Sequence, residues 1–255
     1  MLNIGLVQLD VKEGDIEWNK IKIENYVKNK TSKGLDLLCF PELCISGYDF
    51  EVARNSLDEL DFFSKISKKY NQAILAGVSK KENGDYFDTL CIWDEEGIVL
   101  GEYKKIHLWG EERKFFTAGK DVVMVNFKGW KVGLLICADY GFAELSRELT
   151  LKGAEVIFNS SAWDVNAGEL FRLCAKIRAV ENQNYSVALN RGSSINKYCG
   201  STGVYGPDGV VVKEIRHKGE DYLEVTLRKG EIESYRKVLP WLEMRRPDVY
   251  TKFKN

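Results

Sequence analysis

Apolar positions recur along this chain in two rhythms, and the order of those rhythms predicts a layered fold. The runs "NIGLVQL" (3–9) and "LDLLCF" (35–40) are short and apolar, which predicts strands. Between them, over 17–33, Trp18, Ile21, Tyr26 and Val27 are placed to face a core and Gly34 to end a helix, completing a β-α-β unit. A second helix is predicted over 56–70, where Leu57, Leu60, Phe63, Ile66 and Tyr70 return at helical spacing before the strand "AILAGVS".

The middle of the chain changes character. Strands over 86–93 and 98–103 flank the turn "DEEG", Asn83-Gly84 marks a tight hairpin, and "VVMVNF" and "WKVGLLIC" flank "KG" in the same way. Helices over 143–152 and 169–183 then alternate with the strands "EVIFNSS" and "YSVALN". After Gly200 the pattern returns to strands, "STGVY", "VVVKEI" and "YLEVTL", with "GPDG" as a turn and a helix over 231–236. Mixed β-α and hairpin segments without a low-complexity linker favour two sheets packed together and covered by helices. A chain of 255 residues with four prolines and no visible repeat is expected to form one domain.

Composition narrows the function classes. With 37 basic and 38 acidic residues the charge balance points to neither nucleic acid nor an anionic membrane as a partner. The N-terminal "MLNIGLVQLD" has neither a basic nor an apolar leader pattern, and no apolar run approaches a membrane span, so a cytoplasmic protein is expected. Cys39, Cys44, Cys91, Cys137, Cys174 and Cys199 show no C-x-x-C or metal-finger spacing and are read as free thiols.

Candidate chemistry lies where polar residues follow apolar runs, because sites in α/β folds gather beyond the carboxyl ends of strands. Glu42 follows "LDLLCFP", Lys105 follows "GIVLGEYK" and Cys137 ends "KVGLLI". Singly, each has an ordinary reading as a solvated cap, a surface charge or core filler. Together they form a histidine-free set: a carboxylate that takes a thiol proton, an ammonium that steadies thiolate and oxyanion, and a nucleophile. Other schemes have weaker inventories. The two histidines are His107 and His217, the latter in the charged stretch "KEIRHKGE". "RGSSIN" with Lys197 offers Ser193 and Ser194 for a Ser-Ser-Lys scheme but lacks the glycine- and serine-rich loop such a scheme needs, and no P-loop, G-x-G-x-x-G or H-E-x-x-H pattern is present.

The segments around these residues resemble a known family. "FPELCISGY" (40–48), "EYKKIHLWGEERKFFTAG" (102–119) and "CADYGFAE" (137–144) are similar, in order and approximate spacing, to the three signature blocks of the nitrilase superfamily, the carbon-nitrogen hydrolases. "KIRAVENQNYSVALNR" (176–191) and "PWLEMRRPDVY" (240–250) extend the likeness across nearly the whole chain.

The resemblance implies a mixed α/β (α+β) class, a four-layer α-β-β-α sandwich in a single domain spanning 1–255, with 238–255 as a C-terminal tail. By position it assigns Glu42 as general base and acid, Lys105 as oxyanion stabiliser, Cys137 as nucleophile and Glu112 as a second glutamate that orients the lysine and substrate; the neighbouring Glu111 leaves the register open by one residue. Ala138, through its backbone N–H, and Gly141, Phe142 and Trp163 are candidate substrate contacts. Asp139 either supports the turn that presents Cys137 or lines the pocket. The implied activity is hydrolysis of a small-molecule amide through a thioester, with no cofactor and no metal, in a homodimer or larger assembly. The tripeptide Cys137-Ala138-Asp139 departs from the Cys-Trp-Glu typical of true nitrilases, which favours an amide over a nitrile; N-carbamoyl amide hydrolysis on the same triad and a non-catalytic binding role on this scaffold are the alternatives. Gly141 stands where many relatives carry Arg, which implies a preference for amides without a distal carboxylate.

Overall fold

The computed structural model describes residues 1–31, 34–56 and 58–250. Among the described residues, twelve strands are divided between two six-stranded sheets. The first sheet contains β1 (Leu2–Gln8), β2 (Leu37–Cys39), β3 (Ile74–Glu82), β4 (Asp85–Trp93), β5 (Val99–Lys104) and β12 (Asp221–Leu227), in the order β12-β1-β2-β3-β4-β5. The second contains β6 (Met124–Phe127), β7 (Trp130–Ile136), β8 (Val156–Ser161), β9 (Tyr185–Asn190), β10 (Gly203–Tyr205) and β11 (Val211–Glu214), in the order β11-β10-β9-β8-β7-β6. Each sheet has three central parallel strands, β1-β2-β3 and β7-β8-β9, extended on both sides by antiparallel neighbours.

Strand alternation sorts side chains into layers. Leu37 and Cys39 of β2, Leu90 and Ile92 of β4 and Tyr103 of β5 join Val132 and Leu134 of β7 in a core that holds the sheets together. Leu38, Ile74, Cys91 and Trp93 face the other way, under α1 (Ile16–Lys30) and α3 (Glu59–Tyr70). On the second sheet α4 (Ala143–Leu151) and α5 (Gly168–Asn182) supply Leu145, Leu149, Phe171, Ala175 and Ala179. The result is the expected α-β-β-α sandwich.

Several local expectations are corrected. The buried face of α1 is Asn19, Ile23 and Val27, while Trp18 and Ile21 are exposed. Asn19 sets that rotation: its Nδ2 donates to the carbonyls of Lys12 and Ile45, each at 2.7 Å, and its Oδ1 accepts from the Lys12 N–H at 2.9 Å. Satisfying a buried polar side chain outweighs burying one isoleucine. The helix predicted over 56–70 is preceded by a separate short helix, α2 (Phe50–Asn55), capped by Asp49 and ended by Ser56. Lys33, Leu57 and 251–255, which belonged to the predicted helices and tail, lie outside the described residues. Beyond α6 (Lys229–Val238), the tail carries one further turn, α7 (Pro247–Tyr250).

Candidate active site

Four segments deliver the predicted residues to one end of the sandwich. Glu42 follows β2 through Pro41, and its backbone lies against β3 so closely that a Cβ on Gly77 would sit 2.5 Å from the Glu42 Cα. Glycine is required there by space. Lys105 follows β5, with its N–H donating to the Asp88 carbonyl of β4 at 2.9 Å. Glu112 lies on a 3₁₀ turn, Gly110–Lys114. The strand predicted to run through Cys137 ends one residue earlier, at Ile136, and Cys137 opens a second 3₁₀ turn, Cys137–Gly141, with φ of +47°. A non-glycine residue in the left-handed region is strained, a feature concentrated at functional sites. Asn159 of β8 holds the turn by donating to the Cys137 carbonyl at 3.3 Å.

The structure brings Glu42, Lys105 and Glu112 into direct contact. The Lys105 ammonium donates to Glu42 Oε1 at 2.6 Å and Glu112 Oε1 at 2.8 Å, with all three side chains buried. Glu112 is also held by Tyr48 OH at 3.0 Å and by the Trp109 N–H at 2.9 Å. Glu111 points away and pairs with Lys114 at the surface, so the second glutamate beside the lysine is Glu112. Ammonium has three protons, and these glutamates engage two.

Burial dominates the electrostatics. It pushes the Cys137 thiol well above its usual range, the Glu42 charge adds to that rise, and Lys105 opposes it. A resting thiol therefore needs a base to become a nucleophile. Burial alone would pull Lys105 down, but the negative groups around it, Glu42 foremost, hold it well above the usual range and so charged. Glu112 is raised, chiefly by burial.

A cavity of about 960 Å³ opens beside this cluster. Cys137, Ala138, Gly141, Phe142 and Trp163 all border it, together with Tyr48 and Tyr198. Among the six cysteines only Cys137 lines it. Asp139 is the exception among the pocket candidates. Its fully buried carboxylate lies beneath the turn, accepting from Tyr103 OH at 2.7 Å, the Ile136 N–H at 3.0 Å and the His107 N–H at 3.1 Å. The His107 ring bonds the same carboxylate and stacks on Phe142 with ring centroids 3.5 Å apart. Asp139 therefore builds the cavity floor without facing it.

Sequence reasoning missed Tyr48, Asp88, Trp109, Arg113 and Asn159. Tyr48 sat inside a quoted block, and Asp88 was visible as a lone carboxylate within an apolar strand. The serine scheme is not assembled: Ser193 Oγ accepts the Lys197 N–H at 2.8 Å, while the Lys197 ammonium pairs with Glu13 at 2.7 Å. His217 is exposed and paired with Asp221.

Comparison with known proteins gives the same picture as the geometry. The sequence profile described as carbon-nitrogen hydrolase matches residues 3–237. A 2-oxoglutaramate amidase of Bacillus subtilis is 33% identical over 262 residues, covering 97% of this chain and 98% of that protein. An (R)-stereoselective amidase of a Pseudomonas species is 30% identical over 230 residues, covering 85% of this chain and 83% of that protein. The crystal structure of Nit3 from Saccharomyces cerevisiae, of the nitrilase superfamily, superposes with a TM-score of 0.87 at 25% identity, covering 96% of each chain. With a family profile spanning most of its length and full-length relatives of this kind, the chain belongs to the carbon-nitrogen hydrolases of the nitrilase superfamily.

Proposed function

We propose that this protein is an amidase in which Cys137 is the nucleophile, Glu42 the general base and acid, Lys105 the oxyanion stabiliser and Glu112 the group that orients the lysine. The observation that carries the reading is the buried Lys105 ammonium, held between Glu42 and Glu112 next to the one cysteine that borders the cavity. Amidase relatives of similar length support the substrate class.

The roles give a balanced reaction. As the Cys137 sulfur attacks the amide carbonyl, Glu42 takes the thiol proton and the carbonyl oxygen becomes an oxyanion. The third N–H of Lys105 and the backbone N–H of Ala138 receive that oxygen. Collapse breaks the C–N bond, Glu42 protonates the leaving amine, and a thioester remains on Cys137. Glu42 then draws a proton from water as it attacks the thioester; the thiolate leaves, recovers that proton, and the carboxylic acid is released.

The cavity walls favour an uncharged acyl group. Ile106, Leu108, Trp109, Phe142, Trp163 and Leu170 give the lining an apolar share. Gly141 offers no side-chain donor, and Lys197 is already paired with Glu13, whose carboxyl sits at about 2: burial raises it, but Arg191, Lys197, Tyr198 and the Tyr48 N–H lower it further. Two further cations are also engaged: Arg191 is fully buried against Glu13 and Tyr198, and Arg172 is bonded to Glu169 and Ser201. A second reading, an ω-amide with a distal carboxylate, is favoured by Arg113, which also lines the cavity.

Among the described residues no helix is long and apolar enough to cross a membrane. Six free thiols suit a reducing compartment, and a cytoplasmic homodimer is the setting we assign. Residues 1–255 form the hydrolase domain in this reading, with 238–255 as its C-terminal tail. Ammonia release from a panel of amides, N-carbamoyl compounds and nitriles tests the substrate class. Turnover of simple amides is expected, and turnover confined to nitriles or carbamoyl compounds contradicts it.

A further inference from the structure

The buried charge cluster contains one more acid than the mechanism uses. Asp88 of β4 shares the inward face of that strand with Leu90 and Ile92, is fully buried, and lies with Glu42 and Glu112 in a group whose carboxylate oxygens approach within 4.8 Å of one another. One cation serves all three, with Lys105 Nζ at 2.6 Å from Glu42, 2.8 Å from Glu112 and 3.5 Å from Asp88. Three ionised carboxylates would leave a net charge of −2 in a dry site, which like-charge repulsion and desolvation oppose.

The hydrogen bonds single out the acid that keeps its proton. Glu112 accepts from Lys105, Tyr48 and the Trp109 N–H, and Glu42 Oε1 accepts from Lys105 at 2.6 Å. Neither Asp88 oxygen accepts a hydrogen bond, and Glu42 Oε2 is likewise buried without a partner. An ionised Asp88 has no donor, whereas a protonated one supplies the donor that Glu42 Oε2 lacks.

We propose that Asp88 is a neutral carboxylic acid whose O–H donates to Glu42, making it a positioning residue that fixes the Glu42 carboxylate and leaves the third Lys105 N–H free for the oxyanion. Burial pushes Asp88 well above the usual carboxyl range, with the charges of Glu42 and Glu112 adding and that of Lys105 subtracting, which agrees with the geometry. The other groups whose charge bears on the cluster are Cys137 and Tyr48, and burial keeps both in the neutral form. The inference rests on Glu42 as the base, which Glu42→Gln tests separately.

The experiment compares Asp88→Asn and Asp88→Leu by infrared difference spectroscopy and by the pH profile of kcat/KM. Wild type is expected to show a protonated-carboxyl band at neutral pH that both variants lose, a readout independent of turnover. Asn preserves shape and supplies an N–H in place of the O–H, so Asp88→Asn should rescue activity with the acid limb unmoved. Leu fills the space without a donor, so its acid limb should rise by about one pH unit, the loss of a hydrogen bond to a charged group. Absence of the band, or an acid limb in Asp88→Asn that moves down by a unit or more because a negative charge has been removed, overturns the proposal. If Asp88→Leu does not fold, the band and the Asn profile still decide it.

Discussion

A buried ammonium or carboxylate is unfavourable alone, and this protein buries both kinds side by side next to a thiol. Their mutual compensation makes single losses severe: Cys137→Ala, Glu42→Gln and Lys105→Ala should each lower kcat/KM by about a thousandfold or more. Tm should stay close to wild type in the first two and fall in Lys105→Ala, which strips the buried carboxylates of their cation while the circular dichroism spectrum keeps its folded form. A variant that keeps near-normal turnover would remove its residue from the mechanism. Gly141 gives a gain-of-function test. A Cβ there meets nothing within 4 Å, so the backbone admits a side chain, and Gly141→Arg should raise kcat/KM for an ω-carboxylate amide relative to a neutral amide of matched length by about tenfold, or about 1.4 kcal/mol. In wild type the neutral amide should be the better substrate; a tenfold preference for the ω-carboxylate amide would favour Arg113 as its receptor, and Arg113→Ala would then abolish that preference. Glu42, Lys105 and Cys137 stood out as candidates because each follows or ends an apolar run, and the resemblance supplied their roles. Asp88 was not, because its significance depends on Glu42 and Lys105, which the fold brings in from other strands.

The strap between α3 and β3 is sensitive to pH. Glu59 begins α3, is fully buried, and accepts from the Ser79 N–H of β3 at 2.7 Å. Burial raises its carboxyl from 4.5 to about 7, against the lowering effect of that N–H and of Ser56 and Ser46. A folded-state value above the unfolded one means that the native protein binds the extra proton. Stability from this group is therefore full below the unfolded value and lost as pH rises through about 7. Glu59→Gln should remove that dependence, so its stability relative to wild type should improve by about 3 kcal/mol between about pH 4 and pH 8 in denaturant melts. Parallel curves would contradict it. At this level periodicity located most strands and helices and placed Val27 and Tyr26 of α1 against the core, yet it misplaced Trp18 and Ile21, because the Asn19 anchor involves Ile45, remote in sequence. It passed over α2 because that helix buries only Ala53 and leaves little apolar rhythm.

Across the molecule, the covered and uncovered apolar surfaces suit a two-copy assembly. Leu170, Leu173 and Ile177 form an exposed stripe on α5, and Trp241, Met244 and Tyr250 of the tail are exposed as well. Trp241 and Ile177 line the same surface groove. Leu170 also borders the active-site cavity, so a second copy on this face would reach the substrate entrance. Sedimentation at micromolar concentration should give a dimer, and Leu173→Asp with Ile177→Asp should give a folded monomer. A wild-type monomer would refute the assembly. Two packed sheets covered by helices were legible from the mixed strand and helix patterns, whereas the four-layer α-β-β-α order was implied by resemblance, since periodicity does not say which faces meet.

The account stands on one covalent bond. Acid-quenched protein taken during turnover of a simple amide, digested and mapped by mass spectrometry, should carry the acyl group on the peptide containing Cys137. The adduct should be absent in Cys137→Ala and sensitive to hydroxylamine, as a thioester is. An acyl group on Ser193, Ser194 or another cysteine, or turnover with no trapped adduct even when deacylation is rate-limiting, would contradict it.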